Sequence, residues 1–456
     1  MPESRYDCIV IGSGPGGYVA AIRAAQLGMK TAVVEREFIG GRCLNIACIP
    51  AKAVLRAADV ATEVRHAGDF GVKVPEPEID FAGVGAHRDK VVKTLTSGVS
   101  MLLKKNKVDV IEGEGALTPN GNVAVNGDEI EAGIVILATG SIPNPILGLE
   151  FGGPVLDTAA AWLLNEQPAK IAVIGAGASG TEIASAYGRL GTETVLLEAL
   201  PQILPLEDAD IARAAAREIG KNGVKIVTGA NVDKVDVTKK GVSIDWGEGA
   251  QEFDYVAIAA GRSPDVEALG LDAAGIELTD GGQIKVDGQQ KTSKDGVYAI
   301  GDIVPGPWLA HKASEEGVIA VEAAAGLKPH PLDHSAIPAA TFCYPQVASF
   351  GLTEAAAKAA GYDVAVGKVP MGAVGAPTVY GDRGGMIKIV GDKRYGEILG
   401  AHIVSAKAAD LIEELVVAKE LEGGYPELAR TIHPHPAFAE AVLEAARATD
   451  GWLIHG

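Results

Sequence analysis

Two stretches of the chain are variants of one pattern: YDCIVIGSGPGGYVAAIRAAQLGMKTAVVE (residues 6–35) and KIAVIGAGASGTEIASAYGRLGTETVLLE (residues 170–198). Each opens with an apolar β run and turns on GxGxxG. Each continues with small and apolar residues at helical spacing, then returns as a second β run ending in Glu. The glycines are Gly12, Gly14 and Gly17 in the first copy, Gly175, Gly177 and Gly180 in the second. In both, the acid (Glu35, Glu198) lies 18 residues after the last glycine. The first glycine permits a tight strand-to-helix turn, the second lets backbone approach a pyrophosphate, and the third lets helix pack on strand. The helix N-terminus offers N–H groups and a positive dipole end to phosphates, and the carboxylate accepts hydrogen bonds from a ribose diol. The pattern predicts two Rossmann-like dinucleotide-binding domains in an α/β chain.

Two such sites suggest FAD together with a nicotinamide nucleotide. Each half also ends in a similar strand, IVILATGS (residues 134–141) and YVAIAAGRS (residues 255–263). From Gly12 to Gly140 is 128 residues and from Gly175 to Gly261 is 86, so the first half carries a surplus of 42. The surplus holds GGRCLNIACIP (residues 40–50), with Cys43 and Cys48. FAD is placed at the first site because this insertion follows it directly. Glu198 is followed by ALPQILP, with no Arg or Lys to hold a 2′-phosphate, so the second site is expected to prefer NAD to NADP. Asp302, at the end of the strand in GVYAIGDI (residues 296–303), is a candidate for the ribityl chain.

The cysteines admit three readings: inert buried thiols, half of a metal site, or a pair that opens and closes a disulfide. In a regular helix, residues five apart rise about 7.5 Å, whereas a disulfide wants Cα atoms about 4.4–6.8 Å apart. An undistorted helix would not close the pair, but Gly40-Gly41 before it and Pro50 after it make an irregular helix start plausible. A zinc site wants four ligands, no second Cys pair exists, and His433 and His435 lie nearly 400 residues away. Cys8, in the first strand, and Cys343 read as core residues.

The segment GGRCLNIACIPAK resembles the redox segment of the pyridine nucleotide–disulfide oxidoreductases. The resemblance runs through ATG (residues 138–140), GAGASGTE, AGRSPD, YAIGD and LAHKASEEG to HPHPAFAE (residues 433–440). Arg42, Ala47 and Ala51 stand where the family usually has Thr, Gly and Ser. The resemblance implies that Cys43 is the interchange thiol that meets substrate and Cys48 the charge-transfer thiol against the flavin. It implies that Lys52 lies near flavin N5 with Glu182 as its carboxylate partner, and that His435 is the base, oriented by Glu440. Pro436 is expected as a first helical residue that lets Glu440 turn back to the imidazole. His433 is expected to be structural. Gly12, Gly14, Gly17, Glu35, Arg42, Lys52, Thr139, Gly140, Asp302 and Ala310 are the expected FAD contacts; Gly175, Gly177, Gly180, Glu198 and Gly261 the NAD contacts. Arg42 either reaches Cys43 or the FAD pyrophosphate, or points to solvent.

Within the family, the missing Arg after the second nucleotide strand, the cysteine-free tail DGWLIHG and the retained redox pair imply oxidation of a protein-bound dihydrolipoyl group with NAD. Alternatives are another NAD(P)H-dependent disulfide or mercuric reductase of the family, or a non-catalytic FAD- and NAD-binding subunit. The implied layout is an FAD domain over residues 1–145 and 265–335, an NAD domain over 146–264, and a C-terminal α/β dimerisation domain over 336–456. The implied partners are a second copy and a lipoylated acyltransferase or carrier protein. A net charge of −19 argues against nucleic acid and anionic lipid. No apolar run approaches the roughly 20 residues of a membrane span. With no basic or apolar leader pattern before the first strand, the chain reads as cytoplasmic.

Overall fold

The computed structural model describes residues 5–456. By internal contacts the chain divides into two compact units, each assembled from three segments: Met1–Pro50, Ala86–Asn144 and Gly261–His334 form one, and Ala51–Gly85, Pro145–Ala260 and Ser335–Gly456 the other.

The first unit is built on β1 (Arg5–Ile11), α1 (Pro15–Gln26), β2 (Thr31–Glu35), α2 (Gly41–Asn45), the start of α3 (Cys48–His66), β3 (Asp109–Glu112) and β4 (Asp128–Leu137). Its parallel strands run in the order β3-β2-β1-β4, with the strand Val297–Ala299 added in parallel outside β4. Both faces of β1 are covered. Ile9 and Ile11 enter one apolar cluster with Val135, Leu137 and Val297; Cys8 and Val10 enter another with Ala20, Ala24 and Ile136. A parallel strand buried on both faces must read as a continuous apolar run, as CIVI does.

The second unit repeats this plan with β5 (Lys170–Ile174), α4 (Ala178–Leu190), β6 (Glu193–Glu198), β7 (Val224–Thr228) and β8 (Tyr255–Ile258). The order is β7-β6-β5-β8, with Val155–Leu156 parallel outside β8. The internal repeat is thus topological as well as sequential. The same unit carries a five-stranded antiparallel sheet over residues 339–405, covered by the helices Ala408–Glu420 and Glu440–Thr449 around a separate core.

One buried charge cluster pins this antiparallel sheet to the segment after β6. Lys388, 2% exposed, places Nζ 2.8 Å from both Asp208 oxygens, 2.9 Å from Asp210 Oδ2 and 2.8 Å from Glu354 Oε2. Burial alone would raise the Asp208 carboxyl, but the Lys388 ammonium outweighs it and the net shift is downward. Hydrogen bonds from Lys368 and then Lys388 hold Asp210 well below the usual carboxylate range; those from Lys358 and Lys388 lower Glu354 to about 2. Carboxylates depressed in the folded state stabilise it fully above their unfolded pKa, about 4, and lose that contribution as pH falls toward the folded value. Urea midpoints should therefore drop steeply from about pH 4 toward pH 2. Lys388→Met should destabilise by about 3–5 kcal/mol at pH 7, because three carboxylates lose their shared cation, and should flatten the acid slope. A variant with wild-type stability at pH 7 would refute this account.

Candidate functional site

The three glycine roles expected from the sequence separate cleanly in space. Gly12 has φ +100°, and a Cβ there would lie 2.4 Å from Ala138 O; one on Gly17 would lie 2.0 Å from Gly12 O. The second copy gives φ +97° and 2.5 Å to Ala259 O at Gly175, and 1.9 Å to Gly175 O at Gly180. These four positions admit no side chain. At the middle glycines, Gly14 and Gly177, a Cβ would meet no protein atom within 4 Å. Those two are the N-caps of α1 and α4, and neither helix start is capped by a side chain. Bare N–H groups at the open side of a glycine turn form the cradle a pyrophosphate needs, so the residues present fit a dinucleotide at each turn.

The paired acids end equivalent strands but are bound differently: four hydrogen bonds occupy Glu35. Glu35 Oε2 accepts from Ser13 N (2.8 Å) and Ser13 Oγ (2.6 Å), and its Oε1 from Glu37 N (2.8 Å) and Phe38 N (3.2 Å). Among the described residues, Glu198 accepts two hydrogen bonds, from Ala176 N (2.7 Å) and Leu200 N (2.9 Å). A carboxylate has about four acceptor positions, so two remain on Glu198 for a ribose diol.

Further contacts cluster in the first unit. Thr139 Oγ1 donates to Asp265 O at 2.5 Å, and Asp265 N to Gly140 O at 2.8 Å, with Gly140 at φ +78°. Asp302 Oδ2 accepts from Ser141 Oγ, which itself accepts from Arg262 Nε at 2.8 Å. Ala310 is the first residue of the helix Ala310–Ala324. Gly261, at φ +111°, belongs to this unit, whereas Gly175, Gly177, Gly180 and Glu198 belong to the other. The sequence reading missed a buried ion pair beside Asp302. Lys312 and Glu316, at most 1% exposed, lie 2.9 Å apart and hold both sides of Gly301: Lys312 Nζ donates to its O (2.9 Å) and Glu316 Oε2 accepts from its N (2.8 Å). The i,i+4 Lys/Glu spacing in HKASEEG was the available signal.

The cysteines do not share one helix. Cys43 lies in α2 and Cys48 opens α3; Ile46, at φ −137° and ψ 1°, leaves helical geometry between them. Asn45 closes α2 by donating to Gly41 O (2.9 Å) and Ile39 O (3.0 Å). The break removes the regular-helix spacing that would keep the pair apart. Both cysteines are half-buried. Gly40 and Gly41 have φ +89° and +66°, and a Cβ on Gly41 would lie 2.5 Å from Gly14 Cα, so the redox segment packs directly on the first nucleotide turn. Burial, then the charge of Cys43, pushes the Tyr18 phenol upward. Arg42 is half-buried, with Nε shielded from solvent. Cys8 and Cys343 are core residues, and burial pushes both thiols up to about 12.

In the second unit, Lys52 Nζ lies 2.9 Å from both Glu182 oxygens and 4.7 Å from the centroid of the Phe342 ring, and Phe342 N donates to Glu182 Oε1 at 2.8 Å. His435 Nδ1 lies 2.9 Å from Glu440 Oε1, while Ala437 N donates to Glu440 Oε2 at 2.8 Å. Burial alone would raise Glu440, but the Ala437 N–H and His435 outweigh it, so the carboxyl is lowered and stays ionised at neutral pH. The expected helix start needs correction. Pro436 precedes a non-helical turn, and the helix begins at Glu440, which uses its side chain to bind Ala437 N–H. The imidazole is 77% exposed. His433 is structural: its side chain is 4% exposed, with Nε2 2.7 Å from Glu414 and Nδ1 2.9 Å from Thr431 O. Among the described residues, no group of three or more His, Cys, Asp or Glu is placed to hold a metal, and no helix is long and apolar enough to cross a membrane.

A family model described as pyridine nucleotide-disulphide oxidoreductase matches residues 6–317, and one described as that family's dimerisation domain matches residues 337–446. Curated relatives named dihydrolipoyl dehydrogenase include one from Thermus scotoductus, 42% identical over 99% of this chain and 98% of that protein, and one from Bacillus subtilis, 42% identical over 99% of each. The solved structure of LpdA from Mycobacterium tuberculosis covers 98% of this chain and 99% of its own at TM-score 0.89 and 27% identity. That of the HOCl-induced flavoprotein disulfide reductase RclA from Escherichia coli covers 97% and 99% at TM-score 0.86 and 26% identity.

Proposed function

Because the chain belongs to the pyridine nucleotide-disulphide oxidoreductase family, we propose that it oxidises a protein-bound dihydrolipoyl group to the lipoyl disulfide and reduces NAD. The observation that carries this reading is the redox segment itself: two cysteines on either side of a helix break, packed against a dinucleotide turn.

The steps follow from thiol chemistry. One substrate thiolate attacks Sγ of Cys43 in the Cys43–Cys48 disulfide; an S–S bond to substrate forms and the Cys43–Cys48 bond breaks, leaving Cys48 as thiolate. His435 takes the proton of the second substrate thiol at Nε2, since Glu440 holds Nδ1. That second thiolate attacks the substrate sulfur bound to Cys43, closes the lipoyl disulfide and releases Cys43 with the electron pair. FAD held at the first nucleotide turn would supply the two-electron chemistry that links the cysteine pair to NAD. Gly12, Gly14, Gly17, Glu35, Arg42, Thr139, Gly140, Asp302 and Ala310 are assigned to FAD; Gly175, Gly177, Gly180, Glu198 and Gly261 to NAD. Glu182 pairs with Lys52 at 2.9 Å, and the pair is assigned to the flavin side of the reaction, as the family resemblance implies.

A base as exposed as His435 works best where something else covers it. With a dimerisation-domain match over residues 337–446, we assign that cover to a second copy, giving a homodimer in the cytoplasm served by a lipoylated acyltransferase or carrier protein. The domain assignment is FAD over 1–145 and 265–335, NAD over 146–264 and dimerisation over 336–456. Anaerobic mixing with dihydrolipoamide should release two protein thiols per chain and form NADH when NAD is added; absence of either overturns the reading. Glu198 sets cofactor choice in it. Glu198→Ala should narrow the NAD-over-NADP ratio of kcat/KM about tenfold or more, since a carboxylate facing a 2′-phosphate costs at least ~1.4 kcal/mol. An unchanged ratio would remove Glu198 as the discriminator.

A further inference from the structure

The two nucleotide turns differ at one buried atom. The residue between the first and second glycine is Ser13 in one copy and Ala176 in the other. Ser13 is 0% exposed. Its hydroxyl donates to Glu35 Oε2 at 2.6 Å, accepts from Gly40 N at 3.1 Å and lies 3.1 Å from Phe38 O, which accepts from Gly41 N at 2.8 Å. One oxygen thus joins the nucleotide turn, the end of β2 and the backbone that opens α2. At the second turn Glu198 is held by backbone N–H groups alone, Ala176 O accepts from Leu204 N at 2.7 Å, and no cysteine pair follows. The hydroxyl is present where a redox segment must be anchored.

We propose that Ser13 is a positioning residue for the redox pair: it fixes the N-terminal end of α2 on the first nucleotide turn and so sets the place of Cys43 relative to Cys48. The inference rests on the reading of Cys43 and Cys48 as the reacting disulfide. Without the hydroxyl, the buried Gly40 N–H loses its acceptor, and the N-terminal end of α2 keeps its packing on Gly14 and the Gly41 N to Phe38 O hydrogen bond but loses its tie to the end of β2 through Glu35. A looser α2 lowers the effective concentration of one thiol at the other, which favours the open dithiol.

The test is Ser13→Ala in the FAD-loaded protein, a side chain that the second turn already accommodates at Ala176. Amide exchange over residues 40–45 should quicken at least tenfold while β1 and α1 keep their protection. In a dithiol–disulfide redox buffer the equilibrium should move about tenfold toward the dithiol, a potential roughly 30 mV less negative. FAD retention should stay within about twofold of wild type. Exchange and equilibrium equal to wild type would overturn the inference. So would FAD loss with exchange quickened throughout the unit and the equilibrium unmoved, which marks a packing residue. If wild type itself releases no pair of thiols on reduction, the proposed function fails first and this inference with it. A wild type that does so beside a silent Ser13→Ala isolates the failure to Ser13.

Discussion

Cys43→Ser and Cys48→Ser proteins should each lose dihydrolipoamide oxidation by about a thousandfold or more, since no hydroxyl can form the sulfur–sulfur bond through which both electrons pass. Both should remain folded. Each side chain is half-buried in a segment held by hydrogen bonds from Gly40 N to Ser13 Oγ and from the Asn45 side chain to Ile39 O and Gly41 O, and Cys to Ser removes little volume. The variants should differ in one respect. Cys48→Ser retains the thiol proposed to meet substrate and should accumulate a mixed disulfide with lipoamide, visible by mass; Cys43→Ser should not. The reverse pattern would exchange the two roles. Turnover within tenfold of wild type in either variant would show that the disulfide is not on the path.

His435→Gln should lower kcat/KM by about 10²–10⁴-fold, the range for loss of a positioned base. Its activity should then keep rising with pH toward the thiol's own range, because the substrate thiol must ionise unaided. Glu440→Gln should cost less, since an amide oxygen can still accept from Nδ1. The dimer assignment makes a sharper demand. Mixing Cys43→Ser with His435→Gln protein under conditions that exchange subunits should restore activity, because half of the heterodimer's sites would combine an intact disulfide with an intact base. No recovery after proven exchange would place the base in the same chain as its disulfide.

The nucleotide turns were legible because their glycines are demanded by geometry; four of the six leave no room for a Cβ, and that demand shows in any sequence that makes the turn. Lys52 with Glu182 was legible only through resemblance, since nothing in the spacing marks a salt bridge across 130 residues; His435 and Glu440 lie five residues apart, but their role as a base and its partner also came from the resemblance. The break between the cysteines was only hinted at. No Gly or Pro lies between them; Asn45 ends α2 with its own side chain, and Ile46 then leaves helical geometry. Pro436 misled because proline favours a first helical turn, yet the Glu440 side chain supplies the cap from inside the helix. Lys388 was silent for another reason. One lysine in MIKIVGD reads as a solvent-facing strand position, and two of its three carboxylate partners, Asp208 and Asp210, lie 180 and 178 residues earlier.

The first unit is assembled from three separated segments, and this has a consequence at the ribosome. The strand Val297–Ala299 completes its parallel sheet beside β4, and the Asp302 and Ala310 positions arrive later still. From Leu137, the end of β4, to Val297 the chain grows by 160 residues, which at about 5–20 residues per second takes roughly 8–32 seconds. Through that interval the edge of β4 offers unpaired N–H and C=O groups, and both redox cysteines are already outside the tunnel without the contacts that will surround them. FAD capture must therefore follow the emergence of the third segment. A nascent chain arrested near residue 260 should bind no flavin, and its cysteines should react with alkylating reagents faster than those of the finished protein.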